Sequence, residues 1–122
     1  MKTCLVVDDS RVIRTVARKI IEELGFQVIE AEDGRVALDK SEQSMPDGVL
    51  LDWNMPNMDG LEYLRALRAL PGGDKVRVVF CTTENDLTHI QAALKAGADE
   101  YIMKPFDAEI VKTKFTLLGL ME

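Results

Sequence analysis

The sequence predicts a doubly wound α/β fold: five parallel strands in the order 2-1-3-4-5, with helices on both faces. Three observations carry that prediction. Short apolar runs of strand length recur along the chain. Each is followed by a stretch whose apolar residues repeat at helical spacing. The two patterns alternate five times. Continuous apolar runs fit strands buried on both faces, as in a parallel sheet. Strict alternation implies right-handed crossovers with helices on both sides. Such a fold binds its ligands beyond the carboxyl ends of the strands, so chemistry is expected just after the apolar runs.

The first strand is Cys4-Leu5-Val6-Val7. After it, Val12, Val16, Ile20 and Leu24, flanked by Ile13, Ala17 and Ile21, form a wide helical stripe. Asp9 or Ser10 can cap its start, and Gly25 ends it. Phe26–Ala31 alternates only in part and suits an edge strand. Gly34–Ser44 is a weaker helix, with Val36, Ala37 and Leu38 as its apolar residues. Gly48-Val49-Leu50-Leu51 is the third strand, and Leu61, Leu64, Leu67 and Leu70 mark the third helix. Val76–Cys81 is the fourth strand; Leu87, Ile90 and Leu94 mark a helix closed by Gly97. Tyr101-Ile102-Met103 is the fifth strand, and Ile110, Val111, Phe115 and Leu118 mark the last helix.

Composition narrows the function. A chain of 122 residues is one domain's worth, able to bury roughly two-thirds of its unfolded surface without staples. Apolar residues at 47% and charged residues at 30% exclude a disordered, collagen-like or coiled-coil chain. No apolar run approaches the roughly 20 residues of a membrane span. Only four apolar residues precede Asp8-Asp9, too few for a secretory core, so a cytoplasmic location is expected. A net charge of −6 with no basic cluster argues against nucleic acid or anionic lipid as partner. Cys4 and Cys81 both sit in apolar runs and read as buried, reduced thiols.

The polar residues at the strand ends form the candidate site. Strand one ends in Asp8-Asp9, strand three in Asp52, strand four in Thr82 and strand five in Lys104-Pro105. Three carboxylates gathered at one rim repel one another, and a divalent cation resolves the conflict. Oxygen ligands suit Mg²⁺, which usually shares its shell with a phosphate. The chain has neither GxxxxGK[ST] nor GxGxxG, and its only histidine, His89, lies mid-helix, where it reads as a solvated residue away from the rim. What remains is an aspartate that can accept a phosphoryl group as an acyl phosphate, with a metal, Lys104 and Thr82 to hold the phosphoryl oxygens.

These residues resemble the receiver domain of bacterial two-component response regulators, above all the single-domain CheY-like chemotaxis type with its flavodoxin-like fold. The resemblance covers nearly the whole chain. It rests on Val6–Ser10, Asp52–Gly60, Cys81–Glu84, Ala96–Tyr101 and Lys104-Pro105-Phe106. The strand order 2-1-3-4-5 is itself the one known for this family, so it follows from the resemblance rather than standing apart from it.

The resemblance implies that Asp52 is the phosphoacceptor. Asp9, Asp52 and the backbone carbonyl of Asn54 would hold Mg²⁺, with Asp8 acting through a water. Lys104 would pair with Asp52, aimed by a cis bond into Pro105. Thr82 and Tyr101 match the family's switch pair. A phosphoryl group, adding about −1.5 to −2 charges, would draw Thr82 toward it and bias the surface of helix four, strand five and helix five. Asn54 and Glu84 stand where polar residues orient the hydrolytic water, which implies a short-lived signal. Thr83 is bulkier than the family's usual residue there. Trp53, next to Asp52, would report metal binding by fluorescence.

The implied partners are a CheA-like histidine kinase, docking on the first helix and the loop after strand five, and a flagellar motor switch protein. A relay or phosphate-sink role with a histidine phosphotransfer protein stands as the alternative, and the resemblance also allows for a dedicated phosphatase. A monomer whose residues 1–122 form one receiver domain, without an output domain, is expected; it assists its own phosphorylation and dephosphorylation and has no separate substrate. A rival reading, a Mg²⁺-dependent phosphohydrolase with an aspartyl-phosphate intermediate, would want a second acid where Asn54 stands. A module that binds without phosphorylation would be expected to lack one of these acids or Lys104, and all are present.

Overall fold

The structure is a computed structural model that describes residues 1–82 and 87–122. Strands β1 (Thr3–Val7), β2 (Gln27–Ala31), β3 (Gly48–Asp52), β4 (Arg77–Thr82) and β5 (Glu100–Met103) alternate with helices α1 (Arg11–Glu23), α2 (Gly34–Gln43), α3 (Gly60–Ala69), α4 (Leu87–Ala96) and α5 (Ala108–Leu117). All neighbouring strands pair in parallel, in the order β2-β1-β3-β4-β5. The expected fold and order are therefore both present. A short 3₁₀ turn, Gly73–Lys75, precedes β4 and has no counterpart in the sequence pattern.

Alternation along the strands builds two cores. Leu5, Val7, Val49, Leu51, Val78 and Phe80 point to one face, covered by Leu38, Leu64, Leu67, Ile90 and Ala93 of α2, α3 and α4. Cys4, Val6, Leu50, Val79 and Cys81 point to the other, covered by Ala17 and Ile21 of α1 and Val111 and Phe115 of α5. Both thiols are buried and free, and burial pushes each up to about 12, so neither is a nucleophile at neutral pH.

The helical stripes come out narrower than the spacing suggests. In α1 the buried residues are Ala17 and Ile21, while Val12 and Val16 are 71% and 45% exposed. Adjacent residues lie roughly 100° apart around a helix, and a helix lying on a sheet buries one side only. Leu87, Leu94 and Ile110 are outward-facing for the same reason. Ser10, not Asp9, caps α1, accepting from the Ile13 N–H at 3.3 Å.

One side chain ties the lower edge of this layer together. The Arg68 guanidinium donates to the carbonyls of Gly97 (2.6 and 3.1 Å), Gly73 (2.7 Å) and Val76 (2.6 Å) and pairs with Asp99 at 3.0 Å. It thereby joins α3 to the start of β4 and to the turn after α4. Replacing Arg68 with Ala leaves these carbonyls without their donor, and a loss of about 2–3 kcal/mol is expected in urea unfolding. Arg68→Lys should recover only part of it, because an ammonium cannot reproduce the planar fork.

Candidate functional site

The acids converge at the carboxyl edge of the sheet. Asp8 follows β1, and Asp52 is the last residue of β3. Their side chains are 4% and 12% exposed, whereas Asp9 is open to solvent. One carboxylate oxygen from each of Asp8, Asp9 and Asp52 lies within 4.8 Å of the others. Lys104 comes from the far side: its backbone N–H donates to the Thr82 carbonyl at 2.7 Å, extending the β4–β5 pairing by one residue. The bond to Pro105 is cis. The Lys104 Nζ stands 2.5 Å from Asp8 Oδ2 and 3.3 Å from Asp52 Oδ1. Lys104 thus bridges both acids and sits closer to Asp8, the more deeply buried of the two, which has less water to offset its charge.

Asp8 is held from two more directions. Its Oδ1 accepts the Ser10 N–H at 2.9 Å, and its carbonyl accepts Arg14 Nη1 at 2.7 Å. Arg14 is itself fixed to Glu30 of β2 at 3.1 Å. Burial, with the Asp8 charge added, raises the Asp52 carboxyl above the usual carboxylate range; Lys104 opposes the rise. Burial works against the Lys104 ammonium too, but the hydrogen bond to Asp8 and the charges of Asp52 and Asp8 outweigh it and hold its pKa above the usual value. Three carboxylates and one ammonium leave a deficit of two positive charges when all are ionised. The donor set is all oxygen and opens on a cleft of about 560 Å³ that Asn54 and Pro105 also line. These residues fit a hard divalent cation.

The loop after Asp52 is shaped by close backbone approaches. A Cβ on Gly60 would stand 2.2 Å from the Asp52 carbonyl oxygen and 3.1 Å from Trp53 Cα, so α3 can start against β3 only because that position is glycine. The Gly60 N–H donates to the Trp53 carbonyl at 2.9 Å, and Asp59 and Glu62 close a capping box. Across the loop, a Cβ on Gly34 would meet the Met58 carbonyl oxygen at 2.4 Å. Asn57, at φ 66°, donates its side-chain amide to Asp33 at 2.8 Å. Asp33 also caps α2 through the Val36 N–H, and these hydrogen bonds hold its carboxyl below the usual range despite burial.

Of the other expected residues, Thr82 is buried at the end of β4. Tyr101 is half-buried on β5, with Lys114 Nζ 5.3 Å from its ring centroid. Glu84 and Thr83 lie outside the described residues. His89 is the correction. It is not a solvated residue remote from the rim: its ring stacks on Trp53, centroids 4.3 Å apart and planes 16° apart. Helical spacing around α4 carries no trace of this contact, because the partner comes from another strand's loop. Arg14 was likewise invisible as a support for Asp8.

A model of the response regulator receiver domain matches residues 4–116. The chain belongs to the response regulator receiver family. Phosphorylation on an aspartate with Mg²⁺ is general to that family. The chain is 37% identical over 116 residues to the chemotaxis protein CheY1 of Helicobacter pylori, covering 93% of this chain and 94% of that one. It is 43% identical over 105 residues to the response regulator MprA of Mycolicibacterium vanbaalenii, 86% of this chain and 45% of that one. Among solved structures, chemotaxis protein CheY4 of Vibrio cholerae superposes with a TM-score of 0.91 at 31% identity, over 97% of this receiver and 98% of that chain. The receiver domain of the sensor histidine kinase PA1611 from Pseudomonas aeruginosa has a TM-score of 0.87 at 28% identity, over 97% and 98% of the two chains, and is described with a magnesium ion coordinated in its active site cleft.

Two outcomes follow for the loop and its cap. Gly60→Ala should force the Asp52–Trp53 backbone aside, lowering stability by about 1–3 kcal/mol in urea unfolding and shifting the Trp53 emission maximum. Asp33→Ala should cost about 1–2 kcal/mol at neutral pH. Because the folded Asp33 titrates below its unfolded value of about 3.9, its contribution is complete above that value and fades as pH falls through the folded pKa. Urea midpoints of the two proteins should therefore converge as the buffer is acidified below about pH 3.9.

Proposed function

We propose that this receiver is a phosphorylation switch of the CheY type, with Asp52 as its phosphoacceptor. The observation that carries the reading is the set of three carboxylates within 4.8 Å of one another, bridged by Lys104. In this reading Asp8, Asp9, Asp52 and the backbone carbonyl of Asn54 hold Mg²⁺, Asp8 through a water. Bound Mg²⁺ supplies positive charge against the phosphoryl oxygens. Asp52, kept ionised by Lys104 against the pull of burial, forms a bond to phosphorus as the phosphorus–nitrogen bond of a donor phosphohistidine breaks. The electron pair leaves with the donor imidazole, which takes up a proton. Lys104 and the Thr82 hydroxyl hold the transferred group. Asn54 and Glu84 tune its hydrolysis, and Thr82 and Tyr101 relay its presence to the α4–β5–α5 face. The protein assists these two reactions on itself and has no separate substrate.

The donor in this reading is a CheA-like histidine kinase. Val12 and Val16 stand exposed on α1, and Ile13 of the same helix lines the cleft, which offers an apolar face beside the acceptor. The similarity to chemotaxis protein CheY1 along nearly the whole chain supports a motor switch protein as the target. The similarity to a receiver domain of a sensor kinase, of nearly equal length, keeps a relay through a histidine phosphotransfer protein as the second reading.

The test is intact mass after incubation with Mg²⁺ and acetyl phosphate. A gain of one phosphoryl group is expected, absent in Asp52→Ala and abolished by removing Mg²⁺ with a chelator. An unlabelled wild type, under conditions that label a known receiver, would overturn the assignment. Pull-down with the phosphorylated form, against a motor switch protein and a phosphotransfer protein in parallel, separates the two targets.

A further inference from the structure

The only tryptophan and the only histidine of the chain stack on each other beside the acceptor. Trp53 directly follows Asp52 in the chain, and its carbonyl accepts the Gly60 N–H at 2.9 Å. The residue is thus pinned to the acceptor on one side and to α3 on the other. Its indole is wedged between Phe80 of β4, edge-on at 5.4 Å, and His89 of α4, face-on at 4.3 Å. His89 lies in the first turn of α4, and Ile90 beside it is buried in the core.

The other end of α4 is held differently. The Gly97 carbonyl, one residue past the helix, accepts two hydrogen bonds from Arg68. Arg68 belongs to α3 and is anchored in turn to Gly73, Val76 and Asp99. The carboxyl end of α4 is therefore clamped by a charged fork, whereas its first turn leans on a ring that is one peptide unit from Asp52. A stacked ring contact can slide or tilt at small cost, and a forked set of charge-assisted hydrogen bonds cannot.

We infer that His89 is a positioning residue through which the state of the Asp52 site sets the orientation of α4: the helix pivots at the Arg68–Gly97 clamp, and the Trp53–His89 stack moves its first turn. The inference rests on Asp52 being the acceptor and adds, beside the Thr82–Tyr101 relay, a second route by which the acceptor reaches α4. Phosphorylation or metal binding changes the charge on the side chain of Asp52, which Trp53 directly follows in the chain. The indole follows its backbone, and the imidazole stacked on it follows the indole. The coupling runs through the ring at position 89, so it survives replacement of imidazole by another flat aromatic side chain and is lost with alanine.

The test compares wild type, His89→Ala and His89→Phe, each with and without Mg²⁺ plus beryllofluoride. The readouts are hydrogen exchange of the 87–96 amides and Trp53 fluorescence. Alanine at a half-buried helix position favours the helix, so the variant is expected to fold, which circular dichroism checks. In wild type, activation should change exchange in the first turn of α4 more than near Gly97. In His89→Ala that change should shrink by about two- to tenfold, the equivalent of one aromatic contact, while Trp53 still responds to Mg²⁺. In His89→Phe it should return. An undiminished α4 response in His89→Ala overturns the inference, as does a wild type whose mass shows phosphorylation by acetyl phosphate while α4 exchange stays unchanged. A wild type that neither gains mass nor responds to Mg²⁺ overturns the acceptor reading itself, and the inference with it.

Discussion

Three carboxylates share one edge of the sheet with a single ammonium, and much of the local structure serves to hold them there. Like charges this close resist joint ionisation, and burial adds to the cost. Lys104 offsets part of it by bridging Asp8 and Asp52, which it reaches because its own N–H continues the β4–β5 pairing onto the Thr82 carbonyl. Ser10 and Arg14 fix Asp8 from two further sides, and Arg14 in turn borrows Glu30 from β2. Strands β1, β2, β3, β4 and β5 all contribute a group. The remaining negative charge makes the edge receptive to a divalent cation.

The surroundings of Asp52 are organised by what is missing as well as by what is present. Gly60 lets α3 begin within touching distance of the Asp52 carbonyl, and Gly34 lets α2 begin against Met58. Two helix starts therefore close around the loop that follows β3. Asp33 joins them by capping α2 with one oxygen and taking the Asn57 amide with the other. Trp53 emerges from this rigid loop and leans on α4, the one neighbouring helix whose first turn meets the loop through stacked rings. Close support from α2 and α3, with a stacked-ring contact on α4, is an arrangement suited to passing a local change toward α4.

Much of this was legible in the chain. Val6-Val7-Asp8-Asp9, Leu50-Leu51-Asp52 and Met103-Lys104-Pro105 each place a polar residue at the end of a strand, and a parallel sheet brings such ends to one edge. The helix faces were less legible. Val12 and Val16 share the spacing of core residues yet face solvent, because apolar periodicity marks a stripe wider than the line of contact with the sheet. Nothing in the sequence marks Arg68; its partners are carbonyls of Gly73, Val76 and Gly97, which carry no side-chain signal. His89 misled for a related reason: its partner lies on another loop, thirty-six positions away in the chain by the numbering.

The sequence by itself determined the alternating architecture, the identity of the acids and the lysine at the strand ends, and membership of the family whose motifs they carry. These are local properties: a buried strand needs an apolar run, and a residue that follows the run is placed by the peptide bond. Tertiary structure alone decided that Lys104 sits nearer Asp8 than Asp52, that Gly60 is required by the Asp52 carbonyl, that Arg68 clamps the end of α4 and that His89 rests on Trp53. Each of these depends on distances between segments remote in the chain. Such distances follow from how the helices settle on the sheet, which no window of sequence contains.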